Sequence, residues 1–269
     1  MYNKNKNLKT ENFRYTQKGG SAMGFRKERW INTHSVYQVS VIDALMQGVM
    51  EGVIPVKELL RRGDFGIGTF EGLGGELIVF NHKAYNCRED GTVEEVSPDA
   101  MVSFAQVTYF DQFAPLHRIE ELKTAADLEE KLGAWTLEDP NIIYAVKGHV
   151  DDAAVEIRSI GRQEKPYPTL VEAAKEQKIY KKEHVSGSVF GFLFPKFMMN
   201  VNIPFWHFHF MTDDCTAGGH LLDIRADSMD LQVYPIFEHV IRLPEGKSFS
   251  RIRLYDASEM AKAMKETEG

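Results

Sequence analysis

Only two cysteines, Cys87 and Cys215, occur in 269 residues. So few exclude a disulfide-stapled scaffold and a cysteine-rich zinc site. No apolar run approaches the ~20 residues that a membrane-spanning helix needs. A basic surface stripe is also lacking: the net charge is -7, which argues against a nucleic-acid partner. Positive charge is concentrated in residues 1–30, where Lys4, Lys6, Lys9, Arg14, Lys18, Arg26, Lys27 and Arg29 face only Glu11 and Glu28. No apolar stretch follows these charges, as a secretory signal requires. Residues 1–30 are read as a disordered tail, and the protein as cytoplasmic with no membrane partner. Regular β–α alternation is missing too, which argues against a doubly wound parallel sheet.

What is present reads as mixed α+β. Ser40 and Asp43 resemble a capping box before Val41, Leu45, Met46 and Val49, which recur at helical spacing up to Gly52. A second short helix is expected over 56–62. The pattern then changes to β-rich runs at 64–70, 76–80, 85–88 and 102–110, with a turn at Asn81, His82 and Lys83. Thr124 caps a helix expected to end at Gly133. Strands are expected at 142–150 and 154–160, and a helix over 170–182. From 186 onward strands dominate, at 188–194, 205–212, 220–225, 229–234 and 237–243, before a helical end over 258–268. Two sub-domains are expected, a mixed α/β sheet at 31–165 and a β-rich metal-binding part at 166–269 with a helical tail.

The densest chemical signal is FWHFHFMTDDCTAGGHLLDI, residues 205–224. Side chains alternate faces along a strand, so His207 and His209 share one face and Trp206, Phe208 and Phe210 take the other. Turn-forming residues at 213–219 allow a hairpin that sets His220 opposite His209, with Cβ atoms roughly 5 Å apart. Three imidazoles then converge on one point. Three protein nitrogens with one open position is the pattern of a catalytic zinc site. Cys215 falls at the turn and is not expected to be a ligand. The histidines at 34, 82, 117, 149, 184 and 239 lack such spacing.

Four stretches resemble the α-acetolactate decarboxylase family: YQVSVIDALMQGVMEG (37–52), GDFGIGTFEGLGGELIVF (63–80), IRSIGRQEKPYP (157–168) and the histidine segment with VNIPFWHFHFMTDD and GGHLLD. The resemblance spans the chain from about Tyr37 to its end. It implies a sheet-rich N-terminal part with flanking helices, a β-barrel-like C-terminal part and a homodimer. It implies zinc on His207, His209 and His220, a substrate-binding Thr69, and catalytic roles for Glu76 and Arg158. A further catalytic glutamate from the C-terminal tail falls at Glu266, with Glu259 and Glu268 close by. Two departures stand out, the basic N-terminus and Gly161, where the family pattern suggests proline.

The implied reaction is decarboxylation of 2-acetolactate to (R)-acetoin and CO2 in the acetoin and butanediol pathway. Losing CO2 leaves an electron pair that must reach the neighbouring ketone oxygen, and a Lewis acid there stabilises the resulting enediolate. The substrate carries its own electron sink, so no thiamine or pyridoxal is required. A guanidinium at Arg158 suits the carboxylate, and Glu76 suits acid–base work. Two other readings stay open at this level. A cupin-type iron oxygenase fits HxH on a barrel strand but lacks the expected flanking glycine and glutamate. A non-enzymatic binder with a structural metal fits the three histidines alone.

Overall fold

A computed structural model of the chain describes residues 34–136 and 139–268; the tail expected at 1–30 lies outside the described residues. In chain order the elements are β1 (Ser35–Val39), α1 (Ile42–Met46), β2 (Ile54–Pro55), α2 (Val56–Leu59), β3 (Phe65–Phe70), β4 (Glu76–Phe80), β5 (Lys83–Cys87), β6 (Val93–Glu95), β7 (Met101–Thr108), β8 (Leu116–Leu122) and α3 (Ala125–Thr136). They continue with β9 (Ile143–Ser159), α4 (Leu170–Ala174), β10 (Lys178–Leu193), β11 (Trp206–Thr212), β12 (Gly218–Ile236), β13 (Glu238–Arg242), α5 (Lys247–Arg251) and α6 (Ala257–Glu268). The class is α+β, with far more strand than helix. No helix among the described residues is long and apolar enough to cross a membrane.

Two sheets result. The first runs β13-β1-β7-β3-β4-β5-β6, with β2 beside β7. Its β1–β13 pair is parallel. The second runs β11-β10-β9-β12-β8, with β11 also pairing β12. Alternation decides which side chains meet. Phe65 and Ile67 of β3 and Ile78 of β4 pack against Phe190, Phe192 and Met211 of the second sheet. The opposite face of β11, with Trp206, Phe208 and Phe210, joins Val146, Ile157, Val189 and Leu231 in the second sheet's own core. The strand that carries the histidines therefore turns its polar face toward the first sheet.

Strand pairing runs across the expected boundary at 165/166. Residues 32–269 cluster as one unit. β8 and β9, from the expected first part, lie in the sheet of β10, β11 and β12, while β13 crosses back to β1. Pairing partners far apart in sequence are invisible to local pattern. Several elements also differ. The helix expected over 170–182 is one turn, capped by Thr169 and Glu172 in a reciprocal capping box, and residues from Lys178 join β9 instead. α3 runs through Gly133 to Thr136. The two strands expected in each of 142–160 and 220–234 are single long strands, β9 and β12. β1 and β8 were not expected as strands.

The first helix shows the same override. Ser40 sits at φ 63 and makes no capping bond to α1. Asp43 is fully buried and accepts hydrogen bonds from Gln47 Nε2 at 2.6 Å, Asn200 Nδ2 at 2.7 Å and the Tyr255 amide at 2.9 Å. A buried carboxylate is tolerable only with such partners. It ties α1 to the segment before β11 and to the approach to α6, which fixes one wall of the site.

Candidate metal centre

Strand register assembles the site. His209 of β11 pairs opposite His220 of β12, and His220 pairs opposite Arg158 of β9. Directly opposed residues share a sheet face, so one row across three strands holds two imidazoles and a guanidinium. His207 stands two residues from His209 on the same face. One ligand nitrogen from each of the three histidines lies within 4.8 Å of the others. His207 Nε2 is 3.0 Å from His220 Nδ1. Among the described residues this is the one group of three or more such side chains placed to hold a metal.

The donor set fits a metal cation. His209 Nδ1 donates to the Leu77 carbonyl at 3.0 Å. That bond sets the tautomer and leaves Nε2 with its lone pair free to bind. His209 Nε2 and His207 Nδ1 are buried and have no hydrogen-bond partner. Buried polar nitrogens left so cost stability unless something answers them. Burial holds all three imidazoles below their usual range, His209 to about 3. The Arg158 charge lowers each further; His209 also lowers His207, and both lower His220, while the bond to Leu77 O partly offsets the shift of His209. All three are neutral at neutral pH, as ligation requires.

The first sheet supplies the oxygens. Thr69 and Glu76 pair opposite each other at the ends of β3 and β4, joined by the turn 70–75. Thr69 Oγ1 donates to the Gly75 carbonyl at 2.8 Å. Glu76 Oε2 lies 3.6 Å from His209 Nε2. Glu76 and His209 therefore meet across the seam between the sheets. Cys87 is opposite Glu76 on β5; its buried thiol is pushed well up, first by desolvation and then by that carboxylate. It is a packed thiol and offers no thiolate.

A cavity joins these groups. At its polar end stand Thr69, Glu76, Arg158, His207 and His220. Gly68 and the apolar side chains of Ile42, Leu45, Leu73, Phe104, Ile160, Leu170 and Ile203 form the rest of its lining. Arg158 is 4% exposed, too buried for a surface ion pair. The apolar wall escaped the sequence reading. Its residues come from α1, the 70–75 turn, β7, the end of β9, α4 and the segment before β11, and no local motif links them.

Glu266, on α6, is not among the residues that line this cavity. α6 packs Met260, Ala263 and Met264 inward, and that stripe turns Glu266 outward, where its side chain is 47% exposed and 4.0 Å from Lys262 Nζ. Glu259 is engaged by Arg253 at 2.6 Å and by the Asp256 amide. Neither Glu266 nor Glu259 is among the residues that line the cavity. Cys215 lies in the turn between β11 and β12 and joins no metal-binding group, and none of the other described histidines does. Gly161 leaves room for a neighbour: an added Cβ would come within 1.6 Å of the Glu89 carboxylate.

A family profile described as Alpha-acetolactate decarboxylase matches residues 36–256. A protein of that name from Methanosarcina mazei is 40% identical over 221 residues, covering 81% of this chain and 75% of its own length. Another, from Bacillus subtilis, is 33% identical and covers 87% of this chain and 91% of its own. The crystal structure of alpha-acetolactate decarboxylase from Bacillus subtilis strain 168 superposes with a TM-score of 0.82, over 87% of this chain and 99% of that one.

Proposed function

Because the chain belongs to the alpha-acetolactate decarboxylase family and is a carboxy-lyase, we propose that it converts 2-acetolactate to (R)-acetoin and CO2 with zinc on His207, His209 and His220. The single observation that carries the metal is the meeting of three neutral, buried imidazoles at the polar end of a cavity. Two histidines line that cavity directly, which leaves an open side for an oxygen ligand, as in catalytic rather than structural sites. When bound, the ion supplies a Lewis acid for the ketone and hydroxyl oxygens, so that the electron pair left by CO2 has somewhere to go.

The chain's own residues do the rest. Arg158, in the same strand row as His220, binds the carboxylate in a fork and aligns the bond that breaks. Its low exposure keeps water from competing for those donors. Thr69 commits its proton to the Gly75 carbonyl, so its oxygen faces substrate as an acceptor. Glu76 moves a proton: its carboxyl group delivers one to the carbon that lost CO2 and takes a replacement from solvent, so the substrate hydroxyl ends the reaction as a hydroxyl. Delivery from one side makes the acetoin chiral. Three imidazole nitrogens suit zinc, the metal that the family resemblance implies. The extra β11–β12 pairing closes β11, β10, β9 and β12 on one another, which supports a barrel-like second sheet. The resemblance carries a homodimer into the same reading.

Acetoin release from racemic acetolactate, measured by chiral chromatography, tests this. Protein stripped with a chelator should fall to the spontaneous rate, and zinc should restore release of the R isomer. Zinc-loaded protein that releases no acetoin above the spontaneous rate overturns the reading.

A further inference from the structure

We propose that Leu73 is a specificity-determining residue, held by a left-handed backbone against the cavity so that its side chain sets the largest alkyl group the substrate can carry. This rests on the decarboxylase reading above. A 2-hydroxy-3-oxo acid has an oxygen-rich side and an alkyl side. The cavity lining has both kinds of group: Arg158, Glu76, Thr69, His207 and His220, which the strand pairing and the histidine cluster bring together, and an apolar remainder that includes Ile42, Leu45, Leu73 and Phe104. With the oxygens held at the polar end, the alkyl groups must meet the apolar wall.

One residue of that wall is unlike the others. Seven described non-glycine residues have positive φ, and Leu73, at φ 58, is the one that lines the cavity. A branched side chain in that region is strained. Strain of this kind persists where the surroundings over-determine it, often at functional sites. Here the neighbours at 72, 74 and 75 are all glycine, so the turn already uses the residue that would remove the strain, and yet position 73 carries leucine. The turn is fastened on both sides. The Gly72 amide donates to Met50 O at 2.9 Å and the Gln163 amide to Gly72 O at 2.6 Å. Asn86 Nδ2 donates to Gly74 O at 3.0 Å. Leu73 itself is 3% exposed. It stands between Thr69 and Glu76 in sequence, on a backbone held at Gly72 and Gly74.

The test compares acetolactate with its two ethyl homologues, one lengthened at the carboxylate-bearing carbon and one at the ketone. L73G opens the wall and suits the left-handed φ. It should raise kcat/KM for at least one ethyl homologue relative to acetolactate by about tenfold, the scale of one methylene in an apolar pocket. L73F should lower the same ratio. The thermal midpoint of L73G should be no lower than that of L73A, because alanine keeps the strain and glycine relieves it. Ratios within twofold of the parent chain for both homologues, in folded L73G, overturn the proposal. If L73G does not fold, an unmoved ratio in L73F overturns it. Calorimetric binding of 2,3-dihydroxy-2-methylbutanoate and its 2-ethyl homologue separates the two claims. A parent chain that makes no acetoin sinks the decarboxylase reading, while the binding ratio still decides the role of Leu73.

Discussion

The β11–β12 pair and helix α6 were both expected to bring functional side chains to one place; the strands set His207 and His220 in the cavity lining, and no residue of α6 is in it. In β11 the period of two puts His207 and His209 on one face regardless of what lies opposite. Antiparallel register then sets His220 beside His209 and Arg158 beside His220. In α6 nothing local favours Glu266 over its neighbours. Rotation of the helix is decided by its apolar stripe, Met260, Ala263 and Met264, with Thr267 also buried, and Glu266 falls outside it. A strand pair fixes its functional face through the backbone ladder, whereas a helix takes its orientation from the surface it packs on. The contrast also appears in charge. The strand row holds groups whose protonation burial has changed, and the α6 carboxylate is an exposed partner of Lys262.

The sharpest way to break this contrast is His209→Ala. It deletes a ligand nitrogen and the bond to Leu77 O in the middle of the row. Metal content measured by mass spectrometry should collapse, and kcat/KM should fall by on the order of 10²–10³-fold, as when a preorganised electrostatic group is removed. Retained stoichiometric metal would show that the row is not the binding unit.

A second effect concerns pH and the metal-stripped protein. His209 moves from its ordinary 6.5 to about 3 on folding, so in that window the unfolded chain binds a proton that the folded chain does not. Its share of stability is present above pH 6.5 and is lost as pH falls toward 3. The full shift corresponds to roughly 5 kcal/mol for this one imidazole, and His207 and His220 act in the same direction. Urea midpoints of the stripped protein should therefore drop steeply from pH 7 to pH 4. His209→Ala should flatten that slope; an unchanged slope would contradict the burial argument.

The smallest effect is expected at Glu266→Gln. An exposed ion pair of this kind contributes about 0.5 kcal/mol or less, and kcat/KM for acetolactate should stay within about twofold, a change no larger than ordinary surface substitutions produce. A loss of tenfold or more would mean that α6 turns this carboxylate inward in solution, and the difference between the two regions would disappear.

Legibility followed the range of the interactions. The turn at Asn81 and His82, the strands β3, β4 and β11, and the shared face of His207 and His209 were readable because each depends on neighbours within a few residues. The helix expected over 170–182 failed because its second half found a strand partner in β9. The capping role expected for Ser40 failed because Asp43 answers donors from residues 200 and 255 instead. Arg158, Thr69 and Glu76 were reachable only through family resemblance, since spacing alone does not distinguish them from surface residues.

By itself the sequence determined the candidate donor set: His207 and His209 at a strand spacing, His220 across a turn, and too few cysteines for a thiolate site. Backbone alternation makes that local and unavoidable. Tertiary structure alone decided what surrounds the donors. It buried them until they became neutral, brought Glu76 from the other sheet to within 3.6 Å of His209, and gathered Ile42, Phe104, Leu170 and Ile203 into one wall. It also turned Glu266 away. Burial and the meeting of distant segments are properties of the packed whole, and no window of sequence contains them.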